Sequence, residues 1–396
     1  MLLVLLNEIL SDILYRLPLK TLMQLKCVCK SLKTQISDPT FAKVRLQKSL
    51  CDASLTLIPN WSTMPDQDLN CSIVPFPVTG VIEDEEITIP NDPYYLMSDK
   101  DFCQMVGSCN GLICLLGYSS VAGNRNWLRF WNPTTHALSE KLFLLSHGRH
   151  TKFTFGYDIS TKAYKVVAYS AFNVKILTLG DNVWRNIQSV PVVPFDIVPR
   201  YGNCHPFVNK GVYVSGTINW LAIRNTTEYQ WTDILVEQFV IVSLDLATET
   251  YHQLLPPEGF VEVPIVEPSV TVLMDCLCFS HSFQGYFVLW KMMEFGVQDS
   301  WTQFLKISFQ NHEIDDYYRS NDLLPYGSQL FLFPLCVSES RNTLIMAGNQ
   351  ESDNDHNQHA ILYDWVYNKV GKVRSKNEVL WFFAKEYVES LASTTF

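Results

Sequence analysis

The segment DNDHNQH carries the side chains that could most readily bind a metal ion. Carboxylate oxygens and imidazole nitrogens are common ligands of divalent metals. The segment is also polar throughout and lies between two predicted strands, which is typical of a solvated loop. We therefore predict no metal site here. The side chains in question are Asp353, Asp355, His356 and His359.

Two other patterns could support catalysis. GSCNG at residues 107–111 resembles a glycine-rich phosphate loop, but it lacks the Lys-Ser/Thr ending and a following helix. A turn before the apolar strand LICLL explains it better. The nucleophile motif GxSxG and the zinc motif HExxH are absent. The chain has nine histidines and eleven cysteines, so the sequence leaves open a catalytic Cys–His dyad whose residues meet only in the fold. We predict no catalytic residue and no cofactor.

The cysteines indicate a reducing compartment. Their number is odd, and Cys27-x-Cys29 and Cys276-x-Cys278 have the wrong spacing for an ordinary zinc knuckle. The opening MLLVLL has no basic residues before it, unlike a signal peptide, and no run approaches the roughly 20 apolar residues of a membrane span. We expect a cytoplasmic or nuclear protein with reduced thiols and no membrane partner.

Charge and aromatic content divide the chain into two parts. The first fifty residues contain eight Lys/Arg, three Asp/Glu and only two aromatic residues, whereas the whole chain has a net charge of −10. The hydrophobic fraction of 47% and the charged fraction of 18% are those of a globular protein. The acidic balance argues against nucleic acid as a partner, and the contrast predicts two domains.

The basic first part has the periodicity of short helices. Apolar residues recur at helical spacing from Leu5 to Leu17, and Pro18 then interrupts the pattern. In SDPTF, Asp38 is placed to cap a helix whose first residue is Pro39. Three or four short helices bury little surface by themselves, so they pack either on the rest of the chain or on another protein.

The segment EILSDILYRLPLKTLMQLKCVCKSLKTQISDPTFAKVRL resembles an F-box, the adaptor-binding module of plant F-box proteins. RLPLK, KCVCKS and ISDPTFAK occur in the family's order and spacing. The resemblance implies that the helices bind a Skp1-like adaptor, which links to a cullin-RING ubiquitin ligase. A wide apolar stripe suits such helix-in-groove binding. The residues expected to contact the adaptor are Leu5, Leu6, Ile9, Ile13, Leu14, Leu17, Pro18, Leu22, Val28 and Cys29.

The resemblance leaves two questions about these residues. Leu22, Val28 and Cys29 could instead form the core of the helical module. The family's opening Leu-Pro is Leu5-Leu6 here, and the family's Trp after CVCKS is Leu32. The loss of aromatic area at Leu32, on the order of 1–2 kcal/mol of burial, predicts reduced adaptor affinity.

The rest of the chain reads as short strands separated by turns. Strands that end in Asn or Asp and continue through a Thr- or Lys-containing turn recur in FWNPTTHAL, GYDISTKAYKVV, SLDLATETYHQL and LYDWVYNKVGKV. Their spacing matches four-stranded propeller blades. We expect tryptophans to pack between blades rather than to stack on a ligand. The blades are predicted near 103–142, 150–190, 205–255, 270–308 and 328–374, with a sixth formed by 51–76 and 378–391. A pair of β-sandwiches is the alternative architecture.

The β region resembles the F-box-associated domain of plant F-box/kelch-type proteins. The resemblance is carried by the segments GSCNGLICL, WNPTT, GVYVSGTINWLA and IVSLDLATETYHQLLPP. We therefore expect an α+β multidomain chain. Its parts are a helical F-box at 1–48, a proline-rich acidic transition at 49–101 with possible ring-closing strands, and a β-propeller-like domain of about six irregular blades at 102–396.

The function implied is that of a non-catalytic substrate receptor in a Skp1-cullin-F-box ubiquitin ligase. The helices would bind the adaptor and the β domain an unidentified target protein, with loops 118–127, 199–206 and 224–233 as candidates for target recognition. Two alternatives stay open: a degenerate F-box protein that acts as a scaffold outside the ligase, and a β-propeller that binds a small ligand.

Overall fold

Three helices form the amino-terminal part of the computed structural model: α1 (Leu2–Arg16), α2 (Leu19–Lys26) and α3 (Lys30–Ile36). A further short helix, α4 (Val78–Glu83), follows the second strand. The structure describes residues 2–17, 19–38, 40–41, 44, 54–58, 71–84, 86–89, 97–99, 102–119, 125–144, 151–170, 173–181, 183–192, 194, 210–224, 231–264, 266–309, 331–349, 358–376 and 379–394. No helix in these parts of the chain has the length and apolar character needed to cross a membrane.

The helical segment forms as its periodicity predicts. The side chain of Cys29 occupies the position before α3 and its Sγ accepts a hydrogen bond from the Leu32 N–H. Asp38 acts as the predicted cap, because its Oδ1 accepts a hydrogen bond from the Thr40 N–H at 2.7 Å. Helical backbone at Thr40 and Phe41 follows, so the prediction of three or four short helices is confirmed.

The remainder is built almost entirely from β-strands. In chain order these are β1 (Ser54–Leu57), β2 (Cys71–Pro77), β3 (Glu86–Ile87), β4 (Met97–Asp99), β5 (Phe102–Cys109), β6 (Leu112–Ser119), β7 (Arg125–Asn132), β8 (Ala137–Leu138), β9 (Leu142–Phe143), β10 (Lys152–Asp158), β11 (Ala163–Tyr169), β12 (Val174–Thr178), β13 (Trp184–Ile187), β14 (Val212–Val214), β15 (Thr217–Ile223), β16 (Phe239–Asp245), β17 (Tyr251–Leu254), β18 (Ser269–Leu273), β19 (Cys276–Phe283), β20 (Tyr286–Met292), β21 (Trp301–Ser308), β22 (Phe331–Ser338), β23 (Thr343–Asn349), β24 (Gln358–Asp364), β25 (Lys369–Lys372), β26 (Arg374–Ser375) and β27 (Lys385–Tyr387).

These strands form six antiparallel sheets in the described residues, and a two-stranded parallel pair of β3 with β26. Four sheets have the sequential order β10–β13, β14–β17, β18–β21 and β22–β25. The fifth contains β5 to β9, and the sixth has the order β27-β1-β2-β4. The predicted blade positions are therefore confirmed, and the fold is a set of short amino-terminal helices followed by an all-β, six-bladed propeller domain rather than a pair of sandwiches.

One turn recurs at the end of strands and explains the internal sequence repeat. In each case the side-chain oxygen of an Asn or Asp accepts hydrogen bonds from the backbone N–H groups two and three residues later. The residue four positions on has positive φ, which closes the turn. The four turns begin at Asn132, Asp158, Asp245 and Asp364 and close at His136, Lys162, Glu249 and Asn368.

The chain divides into two compact units. The first contains residues 1–81, 89–145 and 385–396, and the second contains residues 82–88 and 146–384. The first unit thus includes the helices α1 to α3 with two sheets, and the second includes the four sequential sheets. The domain boundaries predicted at residues 48 and 101 stay predictions.

Three apolar layers lie between neighbouring sheets of the second unit. Trp220 and Tyr169 pack edge to face between the first two sheets, with ring centroids 5.1 Å apart. Phe260 and Phe279 belong to the next layer, and Leu289 and Met346 to the third. Most of the predicted packing tryptophans are buried or lie against these layers: Trp127, Trp131, Trp220, Trp231, Trp290 and Trp301.

In the first unit, distant parts of the sequence meet in one sheet. β27 pairs with β1, so that Ser54 lies opposite Tyr387. The Thr56 hydroxyl donates a hydrogen bond to the Lys385 carbonyl at 2.9 Å and accepts one from the Lys385 N–H. The predicted pairing of 51–76 with 378–391 is thus present.

Candidate functional site

The helical segment has its own small core. Leu14, Leu22, Ile36 and Phe41 are buried together, and Leu10, Leu17 and Leu32 pack around them. Leu391, from the carboxy-terminal part of the same unit, also packs against this core. The Gln35 amide donates a hydrogen bond to the Ser11 hydroxyl at 2.7 Å, which joins α3 to α1. These contacts hold the helices in place without a partner protein.

Three apolar side chains project from this core into solvent. Ile9 and Ile13 lie one turn apart on α1 and are 53% and 52% exposed, and Val28, in the turn after α2, is 69% exposed. Cys27 and Cys29 on either side of Val28 are exposed as well. Exposed β-branched residues at one-turn spacing on a helix are typical of a surface that another protein covers.

The structure distributes the predicted adaptor contacts among several environments. Ile9, Ile13, Val28 and Cys29 are exposed, and Leu17 is half-buried. The prediction for Leu14 and Leu22 requires correction, because both side chains are almost completely buried in the helical core and offer no surface to a partner.

Three more of the predicted contacts cannot be placed as side chains. Leu5 and Leu6 lie within α1, but their side chains are outside the described set, and Pro18 lies outside the described residues. Leu32, which replaces the family's Trp, faces the helical core. The departure at Leu32 therefore alters internal packing rather than the exposed surface.

Basic side chains accompany the exposed apolar residues. Lys30 and Lys33 are exposed on α3. Burial lowers the pKa of the nearby Lys26, and the charge of Lys33 lowers it further. On α1, Arg16 pairs with Asp12 at 3.2 Å, in an exposed position. In the described residues, Lys30 and Lys33 thus present positive charge on the surface of α3, where it favours encounter with an acidic partner.

A buried ionic network occupies the second unit. Asp158 and Lys165 are buried, and their carboxylate oxygen and Nζ are 2.8 Å apart. Lys165 also approaches Glu249 at 3.4 Å, and Glu249 pairs with Arg185. Burial alone would raise the pKa of Asp158, but hydrogen bonds from Lys165, Ser160 and Thr161 hold that pKa well below its usual range. The network connects two neighbouring sheets, and it is structural in character.

In the described residues, the cysteine and histidine side chains that could take part in catalysis or metal binding do not form a reactive group. Burial raises the pKa of the Cys278 thiol to about 12 and lowers the pKa of the His281 imidazole to about 4. Cys278 and His281 lie three residues apart on β19 and therefore point to opposite faces of the sheet. Within the described residues, no group of His, Cys, Asp and Glu side chains could hold a metal ion.

The other two candidate motifs are the segments GSCNG and DNDHNQH. GSCNG forms the end of β5 and the turn before β6, as predicted, and the two turn residues Asn110 and Gly111 have positive φ. This is the backbone of a two-residue hairpin turn. Of the predicted metal-capable side chains, only His359 lies among the described residues, and burial lowers its pKa. The other three lie outside them.

A groove in the second unit was not predicted. It has a volume of about 630 Å³ and is lined by residues 234–237, between β15 and β16, and 260–263, between β17 and β18. Of the candidate target-recognition loop 224–233, residues 231–233 directly precede the wall 234–237, whereas residues 225–230 and the loop 199–206 lie outside the described residues. A signal was present in the sequence: between Arg224 and Lys291 the chain has acidic residues but no lysine or arginine. We call this feature the Leu235–Val261 groove.

Residues 69–394 match the family described as F-box associated beta propeller domain, and residues 2–43 match the F-box domain. F-box/kelch-repeat protein At3g23880 of Arabidopsis thaliana is 28% identical over 320 residues, which cover 76% of this chain and 78% of that protein. The F-box protein CPR1 of the same plant is 26% identical over 321 residues, which cover 75% of this chain and 71% of that protein.

Among solved structures, TolB from Acinetobacter baumannii is similar with a TM-score of 0.41 and 10% sequence identity, covering 85% of this chain and 66% of that one. A similarity of this degree carries no argument about function.

Proposed function

The chain belongs to the family of F-box proteins that carry an F-box-associated β-propeller domain, and we propose that it is the substrate-recognition subunit of a Skp1-cullin-F-box ubiquitin ligase. The helices bind a Skp1-like adaptor, and the propeller binds a target protein. The observation that carries the proposal is the exposure of Ile9 and Ile13 on α1 and of Val28 in the turn after α2, in a helical segment that already has a core of its own.

The proposed role is positional rather than catalytic. The chain holds the target beside a ubiquitin-charged enzyme that is recruited through the cullin. It thereby raises the effective concentration of the target and orients it. The reacting groups belong to other subunits, and no residue of this chain is assigned to the transfer of ubiquitin.

Co-purification with a Skp1-like adaptor tests the proposal. Ile9→Asp combined with Ile13→Asp should weaken adaptor binding about a hundredfold or more, because two carboxylates would be desolvated without partners at the interface. Both side chains are about half exposed in the free chain, so the substitutions should leave folding intact. Circular dichroism and the melting temperature check this.

Ile159→Asp provides the control, because Ile159 is an isoleucine of comparable exposure, 61%, in the second unit. This variant should bind the adaptor as the wild type does. Full co-purification of the Ile9/Ile13 variant would contradict the proposed docking surface. A folded wild-type chain that binds no Skp1-like adaptor would favour the scaffold alternative instead.

A further inference from the structure

We propose that the Leu235–Val261 groove binds a segment of the target protein in which an apolar side chain is flanked by lysine or arginine. This inference rests on the proposed function, in which the propeller binds a target protein, and it specifies the kind of target segment that the groove binds. The groove, its rim and its floor all lie in the second unit.

The apolar part of the proposal follows from the two walls of the groove. Leu235 and Val261 are 63% and 65% exposed, each on a different wall. Single exposed apolar residues are normal on protein surfaces, but these two line the same concavity, together with half-buried Val236 and Val263. A partner's apolar side chain that entered the groove would cover these surfaces and be removed from water itself.

The floor of the groove is buried and well packed. Phe260 is buried, and its ring packs edge to face against Phe239, Phe279 and His281, with centroids 5.1–5.2 Å apart. Ile234 beside it is also buried. A floor that is already packed loses little side-chain freedom on binding, so more of the contact energy is retained as affinity.

Hydrogen bonds fix the positions of both walls. The Trp231 indole N–H donates to the Pro264 carbonyl at 2.8 Å, which ties one wall to the other. The Leu235 N–H donates to the Gln238 side-chain oxygen at 2.8 Å, and the Arg224 N–H donates to the Gln238 carbonyl at 2.7 Å. The groove is therefore formed before any partner arrives.

Charge selects among the apolar segments that could enter. Glu237 and Glu262 are exposed, one on each wall. In the part of the chain that the structure describes, no ion pair involves either carboxylate. The chain from residue 225 to residue 290 contains no lysine or arginine, and the guanidinium of Arg224, next to the groove, donates a hydrogen bond to the Gln253 side-chain oxygen at 3.0 Å. A basic residue beside the apolar anchor would complement both walls, whereas an acidic one would be repelled.

Peptide binding to the full chain, co-purified with a Skp1-like adaptor, tests the inference. The probes are three fluorescent peptides with the same serine-rich backbone and two central leucines, flanked by lysine, serine or glutamate. Fluorescence anisotropy should show the tightest binding for the lysine peptide and the weakest for the glutamate peptide. The order should sharpen at low salt, because exposed charges are screened.

Two sets of variants assign the binding to the groove. Leu235→Ser with Val261→Ser should weaken the lysine peptide about tenfold, and Glu237→Lys with Glu262→Lys should reverse the preference in favour of the glutamate peptide. Val183→Ser with Val366→Ser is the matched control, because these side chains are similarly exposed elsewhere in the second unit. The control should bind all three peptides as the wild type does.

The outcomes separate the inference from the proposed function. Equal binding of the three peptides, or binding unaffected by the groove variants, overturns the inference even when the adaptor is bound normally. Loss of adaptor binding with the peptide preference intact overturns the ligase role and leaves the groove. Sedimentation measures self-association, and a dimer that Leu235→Ser with Val261→Ser dissociates would assign the groove to a second copy of the chain, against the inference.

Discussion

Asp158 shows how one buried carboxylate can serve two purposes. Its Oδ1 accepts hydrogen bonds from the N–H groups of Ser160 and Thr161, which form the turn after β10, and its Oδ2 lies 2.8 Å from the Lys165 amine. Asp158→Asn should keep the turn but leave the Lys165 charge poorly compensated. We expect the free energy of unfolding to fall by about 3 kcal/mol, measured by urea denaturation at neutral pH.

Asp245→Asn is the control for this substitution. Asp245 forms the same turn with Ala247 and Thr248, and no ion pair of Asp245 is present in the described residues. Asn132 forms that turn with an amide oxygen, so the Asp245 variant should lose less than about 0.5 kcal/mol. Equal losses for the two variants would show that the buried pair contributes nothing beyond the turn.

The pH dependence has a definite sign. Because the folded chain holds the pKa of Asp158 below the ordinary value of 3.8, its stabilising contribution is fully present above that pH. It diminishes as the pH falls further, toward the pKa of the folded state. The difference in stability between the wild type and Asp158→Asn should therefore be constant from pH 7 to about pH 5 and narrow in stronger acid.

At the residue scale, the sequence predicted the helical surface only in part. A helical stripe identifies Ile9 and Ile13 as apolar positions on one side of α1, but it does not separate them from Leu14, which is buried. Helical spacing defines the apolar side of a helix, whereas the position of the boundary between core and surface depends on neighbouring elements. Here those neighbours include Leu391, whose contact no local pattern could indicate.

At the element scale, the hairpin between β5 and β6 offers a direct test. Gly111 has a φ of +73°, and a Cβ at this position would lie 2.2 Å from the Ser390 hydroxyl and 2.6 Å from the Val388 carbonyl. Gly111→Ala should therefore combine backbone strain with a clash against the chain that follows β27. We expect a loss of about 3 kcal/mol or more in the free energy of unfolding.

Gly285→Ala isolates the backbone contribution. Gly285 has a similar φ of +79° in the hairpin between β19 and β20, but a Cβ added at this position would have no neighbouring atom within 4 Å. This variant should lose only about 1 kcal/mol. If thermal or urea unfolding gave the same loss for both variants, the contact between the β5–β6 hairpin and the carboxy-terminal segment would contribute no measurable stability.

The recurring turns explain why the strands could be predicted from one sequence. An Asn or Asp that bonds the backbone two and three residues on is a local device, and it marks the end of a strand wherever it occurs. The two-residue hairpin of Met274 and Asp275 was less predictable, because both residues adopt positive φ without a glycine. In that hairpin the pairing of β18 with β19 determines the turn, rather than the reverse.

At the scale of the whole molecule, the pairing of β1 with β27 was the longest-range feature that the sequence predicted. The prediction came from the need for a sixth blade to close the ring, since blades packed around an axis cover one another's faces and protect most strand edges. The Leu235–Val261 groove was missed for the opposite reason. Its two walls belong to separate loops, and only their folded arrangement brings Leu235 and Val261 to one concavity.

The carboxy-terminal segment should therefore control the helical surface as well as the sheet. Tyr387 is buried, and its hydroxyl lies 2.8 Å from that of Thr134. The Asn132 amide donates to the Ser390 and Ala392 carbonyls at 3.1 and 2.8 Å, and Leu391 packs on the helical core. A chain that ends at residue 384 loses all of these contacts and leaves β1 as an unpaired edge.

We expect this truncated chain to lose amide-exchange protection in β1 and α1 and to bind a Skp1-like adaptor at least about tenfold more weakly. A chain that ends at residue 394 is the control, because it retains every one of these contacts, and it should match the full chain in both measurements.

Leu391→Ala separates the effect on the helical core from the effect on the sheet. It should reduce amide-exchange protection in α1 while leaving the pairing of β1 with β27 intact, since that pairing uses backbone groups and the Thr56 hydroxyl. Unchanged protection of α1 in both the truncated chain and Leu391→Ala would mean that the helical core is stable without the carboxy-terminal segment.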